Sequence, residues 1–346
     1  MERLLLRHLS QTLLGTWLLA SAVFLLSRAG SEQALRQQIS TMDVLASTAS
    51  PADMAATRMA TRHRLGLDQP LFYIGRTAAG GWQWRGWHNQ YHQWLRALEH
   101  GSLGSSFRTG EPVMRRLARA LALTLPLTAT AAVLATVVAV ALASWLAAAP
   151  RWQLPVRTAL VGLQSLPLFV VALALLLLLA NPDVLDWFPA DGLAAISIQF
   201  SPVGLPAILP RLVLPIAALV LSVVPELTLQ LDASLAHELQ QPYILTAKAK
   251  GLRSSTIVRR HALRNALLPT LAQLAELLPA MVAGAVVVEV IFALPGMGRL
   301  LAEAAATRDY PVLVGGVLLV GTARLVSLLL ADLSYSWADP RIRWQA

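Results

Sequence analysis

Six long apolar stretches recur along this chain, and each is close to the length that crosses a membrane. A spanning helix needs about 20 mostly apolar residues, because the hydrocarbon core of a bilayer is about 30 Å thick. The stretches lie at residues 9–26, 120–149, 158–180, 203–224, 267–294 and 312–331. Hydrophobic residues make up 56% of the chain and charged residues only 14%, whereas soluble domains carry about 25% charged residues. The sequence therefore predicts an all-α membrane protein with six transmembrane helices, and excludes a soluble, a disordered or a fibrous protein.

The first apolar stretch allows two interpretations. Arg3 and Arg7 precede it, and the Ala-Ser-Ala at 20–22 resembles the cleavage site of a signal peptide. The apolar run continues beyond that site to Leu26. We therefore expect an uncleaved transmembrane anchor over residues 1–27 rather than a signal peptide that is removed.

Residues 28–116 differ in kind from the rest of the chain. They contain 11 Arg, six acidic residues and four of the ten Trp, and no apolar run long enough to span a membrane. We expect a large extracytoplasmic insert between the first and second helices. The remaining residues, 117–346, are then expected to form a five-helix membrane core.

The distribution of charge predicts the orientation, because cytoplasmic loops of membrane proteins carry an excess of Lys and Arg. The loops after the second and fourth stretches are basic, the loop after the third contains three Asp and no basic residue, and the C-terminal tail contains two Arg. We therefore expect both termini in the cytoplasm and the insert outside, since long loops translocate largely regardless of their charge. The net charge of +9 then reflects topology, and we expect no nucleic-acid partner.

Residues 236–268 are far longer than an ordinary connection of about 4–6 residues. Their sequence predicts a helix over 236–250, a helix end at Gly251, and a second helix capped by Ser254 or Ser255. This 236–268 hairpin carries six basic residues, including both lysines of the chain, and one acidic residue. Its basic and apolar faces suit either a helix pair lying on anionic lipid or a docking surface for a cytoplasmic protein.

Two motifs in this hairpin resemble a known family. TAKAKGL at 246–252 and RHALRNALLP at 260–269 resemble the coupling-loop signature of permeases from binding-protein-dependent ABC importers, and most closely the first permease of the dipeptide, oligopeptide and nickel group. Five further motifs resemble that group in the same order, namely LGLDQPL at 65–71, GSLGSS at 101–106, EVIFALPGMG at 289–298, RDYP at 308–311 and DPRIR at 339–343.

The resemblance implies a type I ABC importer permease in the bacterial inner membrane, with peptides as its substrate. The implied partners are a second homologous permease, two cytoplasmic ATPase subunits and an extracytoplasmic substrate-binding protein. The chain contains no phosphate-binding loop, so it is expected to be no enzyme itself and to have no catalytic residue, while ATP and Mg bind in the ATPase subunits. The residues implied to couple to an ATPase are Tyr243, Ala247, Lys248, Lys250, Gly251, Leu252, Arg260 and His261.

Two segments depart from the group. Residues 31–64 match it poorly, and residues 225–232 lack the Arg residues that the group commonly has at the end of its fourth helix. Both departures suggest a divergent branch.

Three charged residues lie inside the predicted spans, namely Glu276, Glu289 and Arg324. A central Arg costs about 2.5–3.5 kcal/mol on insertion scales, so it needs a partner. We expect Arg324 to pair with Glu226 or with one of the two Glu of the fifth helix. The alternative is that it lines the pathway and contacts a substrate carboxylate.

The turn after the fifth span is predicted to be an exit turn, formed by Pro295, Gly296 and Gly298. Its two interpretations are a gate at the outer face and a plain change of chain direction. His88 and His92 are four residues apart, which is compatible with nickel, but such residues are more often solvated. We therefore expect no metal site, and the absence of Cys excludes thiolate ligands.

Two other functions compete with the importer. A proton-driven secondary transporter would use Glu276 and Glu289 as a relay, but it leaves the 236–268 hairpin without a role. A membrane enzyme or scaffold would use residues 28–116, but no nucleophile–base pair or metal-ligand cluster occurs there.

Overall fold

The structure is a computed structural model, and it describes residues 10–25 except 12, residue 59, and residues 69–76, 81–189, 191–192 and 205–338. Within the last range, side chains are described except at 205–207, 268, 271–272, 274–284, 324 and 326–338. In chain order the elements are α1 (Leu13–Leu25), β1 (Ile74–Arg76), β2 (Trp82–Trp84), α2 (Gln90–Glu99), α3 (Val113–Ala148), α4 (Pro150–Gln164), α5 (Leu168–Leu179), α6 (Leu205–Glu238), α7 (Pro242–Ala249), α8 (Ser254–Ile257), a π-helical turn (Val258–Ala262), α9 (Leu263–Ile291), α10 (Met297–Ala306) and α11 (Tyr310–Ala338).

Several of these helices have the length and composition of membrane spans. Among the described residues, α3 and the part of α6 from Ile208 to Glu238 are each long and apolar enough to cross a membrane. The helices α9 and α11 have 29 residues each, which at 1.5 Å per residue is about 43 Å and exceeds the hydrocarbon thickness. The helical membrane fold is as expected, and the count of six spans stays a prediction.

The predicted span over 158–180 is not a straight helix. The structure divides it into α4 and α5, whose axes are bent by 97° at the break. The break lies at Ser165–Pro167, where Pro167 has an extended ψ of 142°. Proline has no N–H to continue the ladder and disfavours helical backbone at the residue before it. The pair is therefore a broken span or a re-entrant segment.

The chain divides into two compact units. One comprises Met1–Arg119 with Leu300–Thr322, and the other comprises Ala120–Arg299 with Ala323–Ala346. The predicted division at residues 27 and 116 stays a prediction.

In the first unit, α1 packs against the beginning of α11. Ala20 and Val23 form a buried cluster with Val314 and Leu318. Gly321 lies so close to Leu19 that a Cβ would collide with the leucine side chain. The two helices therefore meet through small and branched side chains, with the C-terminal end of α1 beside the N-terminal end of α11.

The insert contains a short antiparallel sheet that the all-α expectation did not include. Strand β1 pairs with β2 in the register Ile74↔Trp84 and Arg76↔Trp82. The helix α2 follows, and Asn89 caps its N-terminus by accepting a 2.8 Å hydrogen bond from the backbone N–H of His92.

A buried carboxylate holds the end of the insert to the start of α11 within this unit. Asp309 is 2% exposed and accepts hydrogen bonds from the Ser106 hydroxyl and the Phe107 N–H. Arg116 forms a 3.1 Å ion pair with the same carboxylate. The motifs at 101–106 and 308–311, which are distant in sequence, are thus in direct contact.

The core of the second unit is built from α3, α5, α6 and the end of α9. Its buried side chains are small or branched, which lets the helix backbones approach closely. They include Leu127, Ala131, Ala135, Ala172, Ala218, Leu219, Leu227 and Val288.

Candidate functional site

The 236–268 hairpin begins with a break that the sequence analysis did not place. The helix predicted over 236–250 is wrong, because α6 ends at Glu238 and α7 starts at Pro242. Gln241 is extended, with ψ of 148°, and Pro242 occupies the first turn of α7. Proline is well tolerated at that position but not inside a helix, where it clashes with the preceding turn. The hairpin is therefore jointed at residues 239–241.

The predicted helix end at Gly251 is confirmed. Gly251 has a φ of +75°, the left-handed conformation that glycine adopts without strain. Its N–H donates to the Lys248 carbonyl at 2.9 Å, and the Leu252 N–H donates to the Ala247 carbonyl at 3.4 Å. This pair of bonds is the Schellman arrangement, which satisfies carbonyls at a helix C-terminus.

One face of α7 is buried against its neighbours. Ile244 and Ala247, three residues apart, are 0% and 6% exposed. They belong to a cluster contributed by α3, α6, α8, the π-helical turn and α9, namely Ala143, Leu231, Leu235, Ile257, Val258, Ala262 and Ala266. Ala247, which was expected to meet an ATPase, therefore lies on the buried face of α7 and packs against the rest of the permease.

The opposite face of α7 and the turn after it are open to solvent. Leu245 is 62% exposed, and Tyr243 and Leu252 are each 38% exposed. Lys248, Lys250, Gly251 and Arg260 are exposed as well, whereas His261 is half-buried. The structure thus brings together, on α7 and the turn after it, exposed apolar side chains and most of the residues implied by the resemblance.

Three polar side chains connect the two ends of the hairpin. The Tyr243 hydroxyl donates to Glu238 Oε2 at 2.5 Å, and the Asn265 amide donates to the Tyr243 oxygen at 3.2 Å. Partial desolvation raises the pKa of Tyr243 above its ordinary 10.0, and the bond to Glu238 raises it further. The three residues come from the end of α6, the start of α7 and the start of α9, so they hold the joint of the hairpin.

The second half of the hairpin also differs from its prediction. Arg253 precedes α8 as its N-cap residue, and no side chain caps the helix, so the expected capping by Ser254 or Ser255 is wrong. A π-helical turn follows and contains Arg260 and His261. Such turns often occur at functional sites. With α3 this turn lines an apolar cavity of about 670 Å³.

The exit turn is closed by a buried hydrogen-bond network. Glu289 is 0% exposed, and its Oε1 accepts from the Thr124 hydroxyl at 2.6 Å while its Oε2 accepts from the Arg299 N–H at 3.0 Å. The Thr124 oxygen in turn accepts from the Met297 N–H at 2.8 Å. The first N–H groups of a helix have no intrahelical partner, so Glu289 and Thr124 together satisfy the start of α10.

The two glycines of the exit turn are required by close packing. A Cβ on Gly296 would collide with the carboxyl group of Glu289, and a Cβ on Gly298 would collide with the backbone of Val286. Ala293 has a φ of +51°, so the chain turns sharply before Pro295. These contacts give the Gly-Met-Gly sequence a packing role.

The other intramembrane charges are described only in part. Glu276 and Arg324 are among the residues whose side chains the structure does not describe, so the pairing expected for Arg324 stays a prediction. Glu226 accepts a 2.8 Å hydrogen bond from Gln273.

An ion pair that the sequence analysis missed joins α4 to α6. Arg157 Nε lies 2.6 Å from Asp232 Oδ2, and the Asp232 side chain is 7% exposed. Asp232 belongs to the segment that lacks the group's Arg residues. A conspicuous acid in an apolar helix was the one available signal, but nothing in the sequence indicated its partner.

Comparisons with known proteins give the family of the chain. The family described as "Binding-protein-dependent transport system inner membrane component" matches residues 135–344, more than half of the chain. The chain belongs to this family. The permease is 34% identical, over 82% of its length and 83% of the relative's, to a putative peptide permease protein of Brucella ovis. It is 33% identical to the di/tripeptide transport system permease protein DppB of Pseudomonas aeruginosa, over 82% and 84% of the two chains. It is 32% identical to the oligopeptide transport system permease protein AppB of Bacillus subtilis, over 74% and 80%.

The family gives the permease its role as the membrane subunit of an ABC importer. It is a transport component of the inner membrane, and the family match includes the whole 236–268 hairpin and the exit turn. Among the described residues of the permease, no group of three or more His, Cys, Asp and Glu side chains is placed to hold a metal ion.

Proposed function

We propose that this permease imports peptides, together with a second homologous permease, two cytoplasmic ATPase subunits and an extracytoplasmic binding protein. Both termini lie in the cytoplasm, the insert faces outward, and ATP and Mg bind only in the ATPase subunits. The relatives in Brucella, Pseudomonas and Bacillus are named as peptide permeases, which supports peptides as the substrate. The excess of basic residues in the 236–268 hairpin supports its location in the cytoplasm.

The observation that carries the proposal is the two-sided character of α7. Its exposed side offers Tyr243, Leu245 and Leu252 among basic residues, which suits a cleft on a partner protein. Its buried side places Ile244 and Ala247 against α6, the π-helical turn and α9. Because packed interiors transmit displacement rather than absorb it, a partner that moves α7 also moves two of the long helices.

The proposal assigns the residues of this surface different roles. Leu252, Lys248 and Lys250 contact the ATPase, since they are exposed around the end of α7. Gly251 gives the chain the sharp turn that presents them. Ala247 lies on the buried face of α7 and belongs to the packing through which a movement of α7 displaces α6 and α9.

Site-specific cross-linking tests the docking surface directly. The chain contains no Cys, so Leu252→Cys introduces a single thiol on the unmodified background. We expect this variant to form a cross-link with a cysteine placed in the cleft of its ATPase, and the cross-link to change in yield when ATP is added. Leu154→Cys is the matched control, because Leu154 is an exposed leucine of α4 outside the hairpin.

Two outcomes would overturn the proposal. Equal cross-linking at Leu252 and Leu154 would show that the hairpin is not the docking surface. Uptake that persists without any ATPase, and that follows the proton gradient instead, would favour the secondary transporter. Uptake of labelled dipeptides and longer peptides into proteoliposomes, with the binding protein present, tests the substrate class.

A further inference from the structure

The insert exposes three tryptophans on one small element. This Trp hairpin comprises Ile74–Arg76, Trp82–Trp84 and Trp87. Trp82, Trp84 and Trp87 are 75%, 60% and 61% exposed. Trp has a large apolar ring, and exposed clusters of apolar side chains mark interaction surfaces.

An unbroken series of aromatic contacts links these tryptophans to α1. Trp84 and Trp87 each lie 5.8 Å from Tyr73 between ring centroids. Tyr73 lies 6.1 Å from Tyr91, and Tyr91 lies 5.2 Å from Phe24 in the last turn of α1. The Trp hairpin is therefore built on the end of a helix predicted to span the membrane.

Polar contacts lie around this end of α1. The Tyr91 hydroxyl and the Ser21 hydroxyl are 2.7 Å apart, so α2 lies against the last turns of α1. The neighbouring helix α11 begins directly after Asp309, which forms an ion pair with Arg116. Because α1 is predicted to span the membrane, we expect the aromatic series to start where its apolar side chains end, at the level of the headgroups.

The charge of the segment suits a lipid surface. Residues 69–98 contain three Arg and no Asp or Glu. Arg85 is exposed, and its guanidinium group lies over Gly75 of the neighbouring strand. Trp is enriched at membrane–water interfaces because its ring is apolar and its N–H is polar, and nearby basic residues favour anionic phospholipid.

We propose that the Trp hairpin is an interfacial anchor, with Trp82, Trp84 and Trp87 in the headgroup layer of the outer leaflet. It holds the insert against the membrane beside α1. The proposal rests on the outward orientation of the insert proposed above, and it is independent of the substrate.

Nitroxide labels report the depth of the hairpin in a membrane. Trp84→Cys, Trp82→Cys and Gln83→Cys each provide a single labelling site, because the chain has no Cys of its own. Gln83 is the matched control, since successive residues of a strand point to opposite faces. The full-length chain is reconstituted in nanodiscs of phosphatidylcholine and phosphatidylglycerol, and collisions of each label with oxygen and with a water-soluble nickel chelate are measured.

We expect labels at positions 82 and 84 to collide several-fold less with the nickel chelate, and more with oxygen, than the label at 83. Trp84→Cys removes the stacking of Trp84 on Tyr73, whereas Trp82→Cys keeps it. A difference seen with both variants is therefore not caused by loss of that stacking. Equal accessibility of the three labels would overturn the proposal. Protection that arises only when the binding protein is added would overturn it too, and would identify a protein-docking surface. The cross-link at Leu252 is measured separately, so failure of the anchor is distinguishable from failure of the transport proposal.

Discussion

Replacing Thr124 by Val tests whether the buried network at the exit turn stabilises the permease. The substitution preserves the branched shape of the side chain and removes only its hydroxyl group. That hydroxyl both accepts from the Met297 N–H and donates to Glu289 Oε1. All three residues are at most 1% exposed, so water cannot replace the lost partners.

The expected cost follows from the two groups left unsatisfied. A buried polar group that loses its partner costs about 1–3 kcal/mol, so the two together cost about 2–6 kcal/mol. Hydrogen bonds between membrane helices are worth less, about 0.6 kcal/mol on average, because the unfolded chain in the membrane also finds partners. We therefore expect Thr124→Val to lower the free energy of unfolding by at least about 1 kcal/mol and at most about 6 kcal/mol.

Thr124→Ser is the matched control, because it keeps the hydroxyl and removes one methyl group, worth about 0.8 kcal/mol. Equilibrium unfolding of the purified permease in mixed micelles measures both variants under one condition. Hydrogen exchange at the Met297 amide adds a local measurement, and we expect faster exchange in the Val variant alone. If Thr124→Val is as stable as Thr124→Ser and its Met297 amide stays protected, the network does not stabilise the turn.

Three further predictions concern other parts of the described structure. Asp309→Asn should cost about 3–5 kcal/mol, as expected for a broken buried ion pair, whereas Glu111→Gln, whose ion pair is exposed, should cost about 0–1 kcal/mol in the same unfolding measurement. Because the pKa of Tyr243 is raised in the folded state, its stabilising contribution is present below pH 10.0 and is lost as the pH rises through the higher folded pKa. Titration by phenolate absorbance should show a tyrosine that ionises above pH 10.0 in the wild type and not in Tyr243→Phe. The other tyrosines should titrate identically in both proteins, which is the control. Gly251→Ala should cost about 1–2 kcal/mol, because alanine is strained at positive φ, and an unchanged stability would show that the turn can relax.

The sequence was informative where the signal is local. The long apolar stretches predict helices where the structure has long ones. Gly251 was identified as a helix end because a positive φ favours glycine. The same local rules failed at residues 239–241 and at Ser165–Pro167. In both places a proline falls inside an apolar or helical pattern, and periodicity alone does not reveal whether the helix continues through it, kinks or ends.

Partners distant in sequence were not predictable. Thr124 lies in an apolar helix, where a threonine usually bonds the carbonyl of the preceding turn, and nothing marks it as the partner of Glu289. The contact of Asp309 with the motif at 101–106 is of the same kind. Both motifs were recognised as resemblances, but only the fold shows that they form one structural unit.

The position of α9 connects the two regions of interest within the second unit. This helix begins within the 236–268 hairpin, at Leu263, and ends at the exit turn, so one continuous helix joins them. Near one end, Ala266 packs in the cluster beneath α7, and near the other end, Glu289 is bonded to Thr124 of α3. Glu289 accepts hydrogen bonds from Thr124 and from the Arg299 N–H at the start of α10, where a negative charge is favourable. This structural role explains the buried carboxylate without a proton relay. Under the proposed coupling, a displacement of α7 would reach the exit turn as a movement of α9 against α3, to which α9 is bonded through Thr124 and Glu289.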